Sequence, residues 1–113
     1  MPQCADALRE RKIALTLVDQ AWMLPIDRWF ERFDPITADF CYVRLLGDRT
    51  GVEKLTKTFD ATVMDRSADI AHWTDVCEQI VRRGIKTYVY VNNHYGGFAP
   101  ADIDRFLKRW NAL

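Results

Sequence analysis

Three stretches of the chain read as strands, and the apolar pattern between them reads as helices. Residues 13–18 (IALTLV) form a continuous apolar run of strand length, as expected of a parallel strand covered on both faces, and Asp19 follows directly. Residues 39–46 alternate: Phe40, Tyr42, Arg44 and Leu46 fall on one face, Cys41, Val43 and Leu45 on the other. The second set is purely apolar and is expected to lie under helices, which leaves Arg44 on the opposite, inward face. Residues 87–92 repeat the pattern, with Val89 and Val91 toward helices and Tyr88, Tyr90 and Asn92 inward. Residues 3–12 and a short turn at Ile26–Arg32 read as helical. Residues 67–83 predict the longest helix, with Ile70, Trp73, Cys77, Ile80 and Val81 as its apolar stripe and Gly84 ending it. Pro100 opens a last helix whose predicted face is Ile103, Phe106, Leu107 and Trp110. Gly47 to Gly51 (GDRTG) reads as a turn-rich loop, and residues 52–66 as a surface excursion.

Strands alternating with helices give three βα modules and a parallel sheet, with the strands adjacent in chain order. The predicted fold is therefore α/β, and residues 1–113 make one domain, since a chain of this length buries one modest core.

The chemistry gathers where the third strand ends, in KTYVYVNNHYGGFAP (residues 86–100). A buried strand that runs into amides, an imidazole and a glycine turn is where α/β proteins carry their sites. Arg44 is the most informative single residue. A guanidinium inside a strand needs an anion, so it is either a clamp for phosphate or carboxylate or a structural ion pair with Asp19 or Asp39. Asn92 and Asn93 offer amide donors and acceptors for a hydroxyl or phosphoryl oxygen, or else cap a loop. His94 is a candidate general acid or base, or a surface residue. Gly96 and Gly97 precede a helix start that could cradle an anion, although Pro100 donates no N–H there. Asp19 and Asp48 are candidate bases or metal ligands. With two histidines and no clustered carboxylates, no metal site is expected, and no motif implies a cofactor.

These residues also carry a resemblance. VYVNNHYGGFAP, together with FCYVRLLGDRTG (residues 40–51), resembles the YecE-like family, also called domain of unknown function 72. The matching positions are Arg44, Gly47, Trp73, Asn92, Asn93 and Gly97. The family usually has His before the glycine of the second motif, where this chain has Leu46, which leaves that His without a counterpart. The resemblance implies a TIM-like barrel of which this chain is the C-terminal, three-strand part, incomplete on its own. Three modules do not close a barrel, and their open sheet edges lead to an expectation of self-association, or of barrel segments outside this sequence. Placed at the strand ends of a TIM-type barrel, whose last two βα loops often bind phosphate, the residues themselves make Asp19 and His94 the catalytic candidates and Arg44, Gly47, Asn92 and Asn93 the substrate-binding candidates.

Composition narrows the partners. Lysine plus arginine and aspartate plus glutamate balance at 16 each, so no net field favours nucleic acid or an anionic membrane. No apolar run is long enough to span a bilayer, and the N-terminus lacks the apolar core of a signal peptide, so a cytoplasmic location is expected. Cys4, Cys41 and Cys77 are too widely spaced for a zinc motif, and the last two are expected in the core. The functional expectation is a barrel enzyme or binding protein for a small phosphorylated or polyhydroxylated compound. The alternatives are a non-enzymatic assembly module and a fragment of a phosphodiester hydrolase-like barrel.

Overall fold

The computed structural model describes residues 2–113. The elements are α1 (Pro2–Glu10), β1 (Thr16–Gln20), α2 (Ile26–Arg32), β2 (Phe40–Gly47), α3 (Arg49–Leu55), α4 (Ser67–Arg82), β3 (Lys86–Val91), α5 (Asn93–Gly96) and α6 (Ala99–Asn111). The strands form one sheet in the order β1-β2-β3, and both pairings are parallel. The register aligns Leu17, Val43 and Val89 across the sheet, and likewise Val18, Arg44 and Tyr90.

That register divides the sheet into two unlike faces. Leu17, Val43 and Leu45 are completely buried and pack with Ile26, Ile36, Ile70, Trp73, Val76, Cys77 and Ile80 as the core. The opposite face stays open: Phe40, Arg44, Tyr88 and Tyr90 are exposed. The alternation in residues 39–46 and 87–92 thus sorts the side chains as expected, although the open face has no covering layer among the described residues. The molecule is accordingly a slab of 43 × 31 × 21 Å. Its radius of gyration is 14.7 Å, above the roughly 13 Å of a compact chain near this length.

Several boundaries differ from the pattern reading, each for a physical reason. β1 begins three residues later than expected because the Thr37 hydroxyl takes over the backbone of residues 13–15. It accepts from the Leu15 N–H at 2.8 Å and donates to the Ile13 carbonyl at 2.6 Å. The GDRTG stretch is not a loop throughout. Asp48 caps α3, its Oδ1 accepting from the Gly51 N–H at 3.0 Å, so helix starts at Arg49. The polar knot after β3 likewise contains one helical turn, α5. On α4 the buried stripe includes Thr74 and Val76, while Val81 is 41% exposed. Thr74 buries its hydroxyl at no cost in unmet hydrogen bonding, because it donates to the Ile70 carbonyl at 2.6 Å. On α6 only Phe106 and Trp110 pack against the core, and Ile103 and Leu107 face outward. Cys41 and Cys77 are core residues as expected, and burial pushes their thiols up to about 11 and about 12.

Candidate functional site

The carboxyl ends of the three strands carry two distinct arrangements, one on each face of the sheet. On the open face Arg44 and Asn92 line one cavity of about 210 Å³ with Tyr42, Leu46, Tyr90 and Val91. Arg44 has neither an ion-pair nor a hydrogen-bond partner among the described residues. The salt bridges to Asp19 or Asp39 that would have made it structural are not formed. Tyr42 and Tyr90 stack beside it, ring centroids 4.8 Å apart and planes 22° from parallel. Asn92 follows β3 directly, and its N–H donates to the Leu45 carbonyl at 2.9 Å. As the residue preceding α5 it makes no side-chain cap, so its amide is uncommitted.

The helix-covered face holds a partly buried polar cluster built around Asp19. One carboxylate oxygen, Oδ2, accepts from the Tyr95 hydroxyl at 2.7 Å and from the Trp73 indole N–H at 3.0 Å. Tyr95 is completely buried, and burial, reinforced by its bond to Asp19, pushes its hydroxyl well above the ordinary tyrosine range. Arg66 lies over the Tyr95 ring, 4.7 Å from its centroid, donates to the Tyr95 carbonyl at 2.9 Å and pairs with Asp69 at 3.3 Å. Asp19 pairs with Leu45 in the ladder, one register position beyond Arg44 and on the other face. It does not join Arg44 and Asn92. It opens instead on a separate cavity of about 260 Å³ shared with Asp27, Asp69, His72 and Trp73.

The remaining candidates have structural surroundings. Gly47 has φ of +74°, and a Cβ there would lie 2.8 Å from the Tyr95 Cα and 2.9 Å from the His94 carbonyl oxygen. A glycine is needed for both reasons, because α5 folds directly against the end of β2. The Asn93 side-chain carbonyl accepts from the Ala99 N–H at 2.9 Å, satisfying a free donor at the start of α6. His94 points toward α3: its Nε2 lies 3.1 Å from Glu53 Oε1, and its ring meets Phe59 edge-on at 5.0 Å. Arg49 first, and then His94, hold the Glu53 carboxyl below its ordinary range. His94 lines neither cavity. Tyr95, Arg66 and Asp102 were not singled out from the sequence. Tyr95 follows the polar run directly, and a tyrosine between histidine and two glycines is the one signal that pointed to it.

Asp102 is the most buried carboxylate, 1% exposed. Its Oδ1 accepts from Arg105 at 3.2 Å, and Oδ2 is buried without a partner against Gly96. Burial raises its pKa above the ordinary 3.8, with Arg105, Arg66 and the Gly96 backbone pulling the other way. No cluster of three or more potential metal ligands occurs among the described residues.

The family model described as protein of unknown function DUF72 matches residues 1–113. The fold is similar to the crystal structure of a DUF72 family protein from Thermotoga maritima MSB8, with a TM-score of 0.69 and 21% sequence identity. That match covers 98% of this chain and 42% of the Thermotoga chain, so the sequence spans less than half the length of that relative. At this identity the likeness is one of fold. None of the curated proteins matches the chain.

Proposed function

We propose, from the premise that this chain belongs to the DUF72 family, that its open sheet face binds a small phosphorylated compound, in a pocket the three βα modules supply in part. The observation that carries this reading is Arg44. It is a guanidinium with no acid partner among the described residues, in one cavity with the uncommitted amide of Asn92. An unpaired guanidinium presents a planar fork of donors matched to phosphate or carboxylate. The cavity, about 210 Å³, lies below the roughly 300–1,000 Å³ of complete small-molecule sites. That deficit fits a pocket floor that further modules of a TIM-like barrel, or a second copy, would wall in. A barrel is also the arrangement in which an open parallel sheet face becomes an interior.

The test is a thermal-shift series with inorganic phosphate and sugar phosphates. A ligand that binds the native state at one hundred times its Kd stabilises by about 2.7 kcal/mol. Stabilisation is expected, and Arg44→Lys should weaken it because the ammonium keeps the charge and loses the two-pronged geometry. No stabilisation by any phosphorylated compound would remove the reading.

A second reading, an assembly module, is favoured by a groove of about 160 Å³ between α4, α6 and β3, the last strand of the sheet among the described residues. It is lined by Cys77, Val81, Thr87, Val89, Phe106, Leu107 and Trp110. Apolar surface beside an unpaired strand edge favours association. The two cavities share no residue, so the two readings do not exclude each other.

A further inference from the structure

The geometry points to a narrower ligand class: a phosphorylated compound that carries a flat aromatic ring, as a nucleoside monophosphate does. This inference rests on the phosphate reading of Arg44 and extends it along the same face. Tyr90, 52% exposed, is the direct ladder partner of Arg44. It stacks on Tyr42 at 4.8 Å, so the two tyrosines form a ready-made aromatic stack beside the guanidinium. Phe40 and Tyr88 continue the aromatic surface toward the other end of the strands, edge to face at 6.5 Å. A planar base laid on such a platform gains stacking from any of its faces, whatever its substituents.

Charge and hydrogen-bonding chemistry separate this ligand from a plain polyol. The charged residues of β2 and β3 are Arg44 and Lys86, and the sheet's one acid, Asp19, lies on the opposite face. Sugar hydroxyls both donate and accept, so the Asn92 amide suffices for them, whereas a plain polyol has no use for the guanidinium charge or the tyrosine stack. A phosphate asks for cationic donors and a base asks for a π surface, and both are present within one ladder step. Asn92, two residues beyond Tyr90 and lining the same cavity, supplies an amide for the edge of the ring.

The experiment compares adenosine 5′-monophosphate with ribose 5-phosphate by calorimetric titration of the chain and of two variants, Tyr90→Ala and Arg44→Ala. Both substituted side chains are exposed, and circular dichroism melts verify that each variant folds as the parent does. The nucleotide is expected to bind about tenfold or more tightly than the sugar phosphate, the increment one stacked base supplies. Tyr90→Ala should weaken the nucleotide far more than ribose 5-phosphate and so close the gap between them, whereas Arg44→Ala should weaken both ligands alike. Equal affinities for the two compounds, both lost in Arg44→Ala, would overturn the aromatic-ring inference and leave the phosphate reading standing. Absence of binding by either compound, or binding indifferent to Arg44, would overturn both.

Discussion

At the scale of single residues, burial separates groups that hold the fold from groups free to meet a ligand. Arg44 and Asn92 fall in the second class. Arg44→Lys is expected to leave thermal stability nearly unchanged, within the roughly 0.5 kcal/mol usual for exposed positions, while ligand affinity falls. A lowered melting temperature would mean that Arg44 is a structural partner after all. Tyr95 belongs to the first class. Tyr95→Phe removes the 2.7 Å bond to Asp19 and should cost about 1–2 kcal/mol by chemical denaturation, with no change in ligand affinity if the open face is the site. Asp102 gives the pH dependence. Its pKa is raised by burial, so between 3.8 and that raised value the folded chain binds more protons than the unfolded one. Stability contributed there is present at low pH and falls as pH rises through the window. Asp102→Asn should flatten that limb of a urea-midpoint profile measured against pH, and an unchanged limb would assign it to another group. Arg44 and Asn92 were legible in the sequence as candidates, but the roles of Tyr95 and Asp102 were not. Asp19 and Tyr95 are 76 positions apart, and nothing in local patterning signals that two such residues meet.

At the scale of elements, period-two alternation was the most informative signal and helix-length apolar spacing the least. The strands declare their faces because every second side chain must pack or face outward. The faces of α4 and α6 were read too broadly. Val81 and Leu107 match the helical period yet lie exposed along the β3 groove, because periodicity records which residues suit burial and not whether a neighbour is present to bury them. Read the other way, those two positions mark where a neighbour is missing. Val81→Glu or Leu107→Glu should therefore leave the helices intact and reduce self-association in sedimentation. An unaltered, concentration-independent monomer in both parent and variants would contradict an interface there. The helices α3 and α5 escaped notice because they are short and glycine-flanked. They are fixed by the Asp48 cap and by the close approach of Gly47 to Tyr95, and a Gly47→Ala chain should lose about 2 kcal/mol or more to the strained φ and the clash.

At the scale of the whole molecule, the chain is a parallel three-strand sheet with one face under helices and the other open, matching 42% of a longer relative. The open face carries aromatic, cationic and amide groups, and the covered face carries the polar cluster that keeps α5 in position. On this account ligand chemistry and structural chemistry are divided by the sheet itself. An amide-resolved NMR titration with a phosphorylated ligand tests that division most directly. Shifts should gather on the open face, at Arg44, Tyr90 and Asn92, and leave Asp19, Trp73 and Tyr95 undisturbed. Shifts confined to the Asp19 cavity, or none at all, would contradict the assignment of the ligand to the open face.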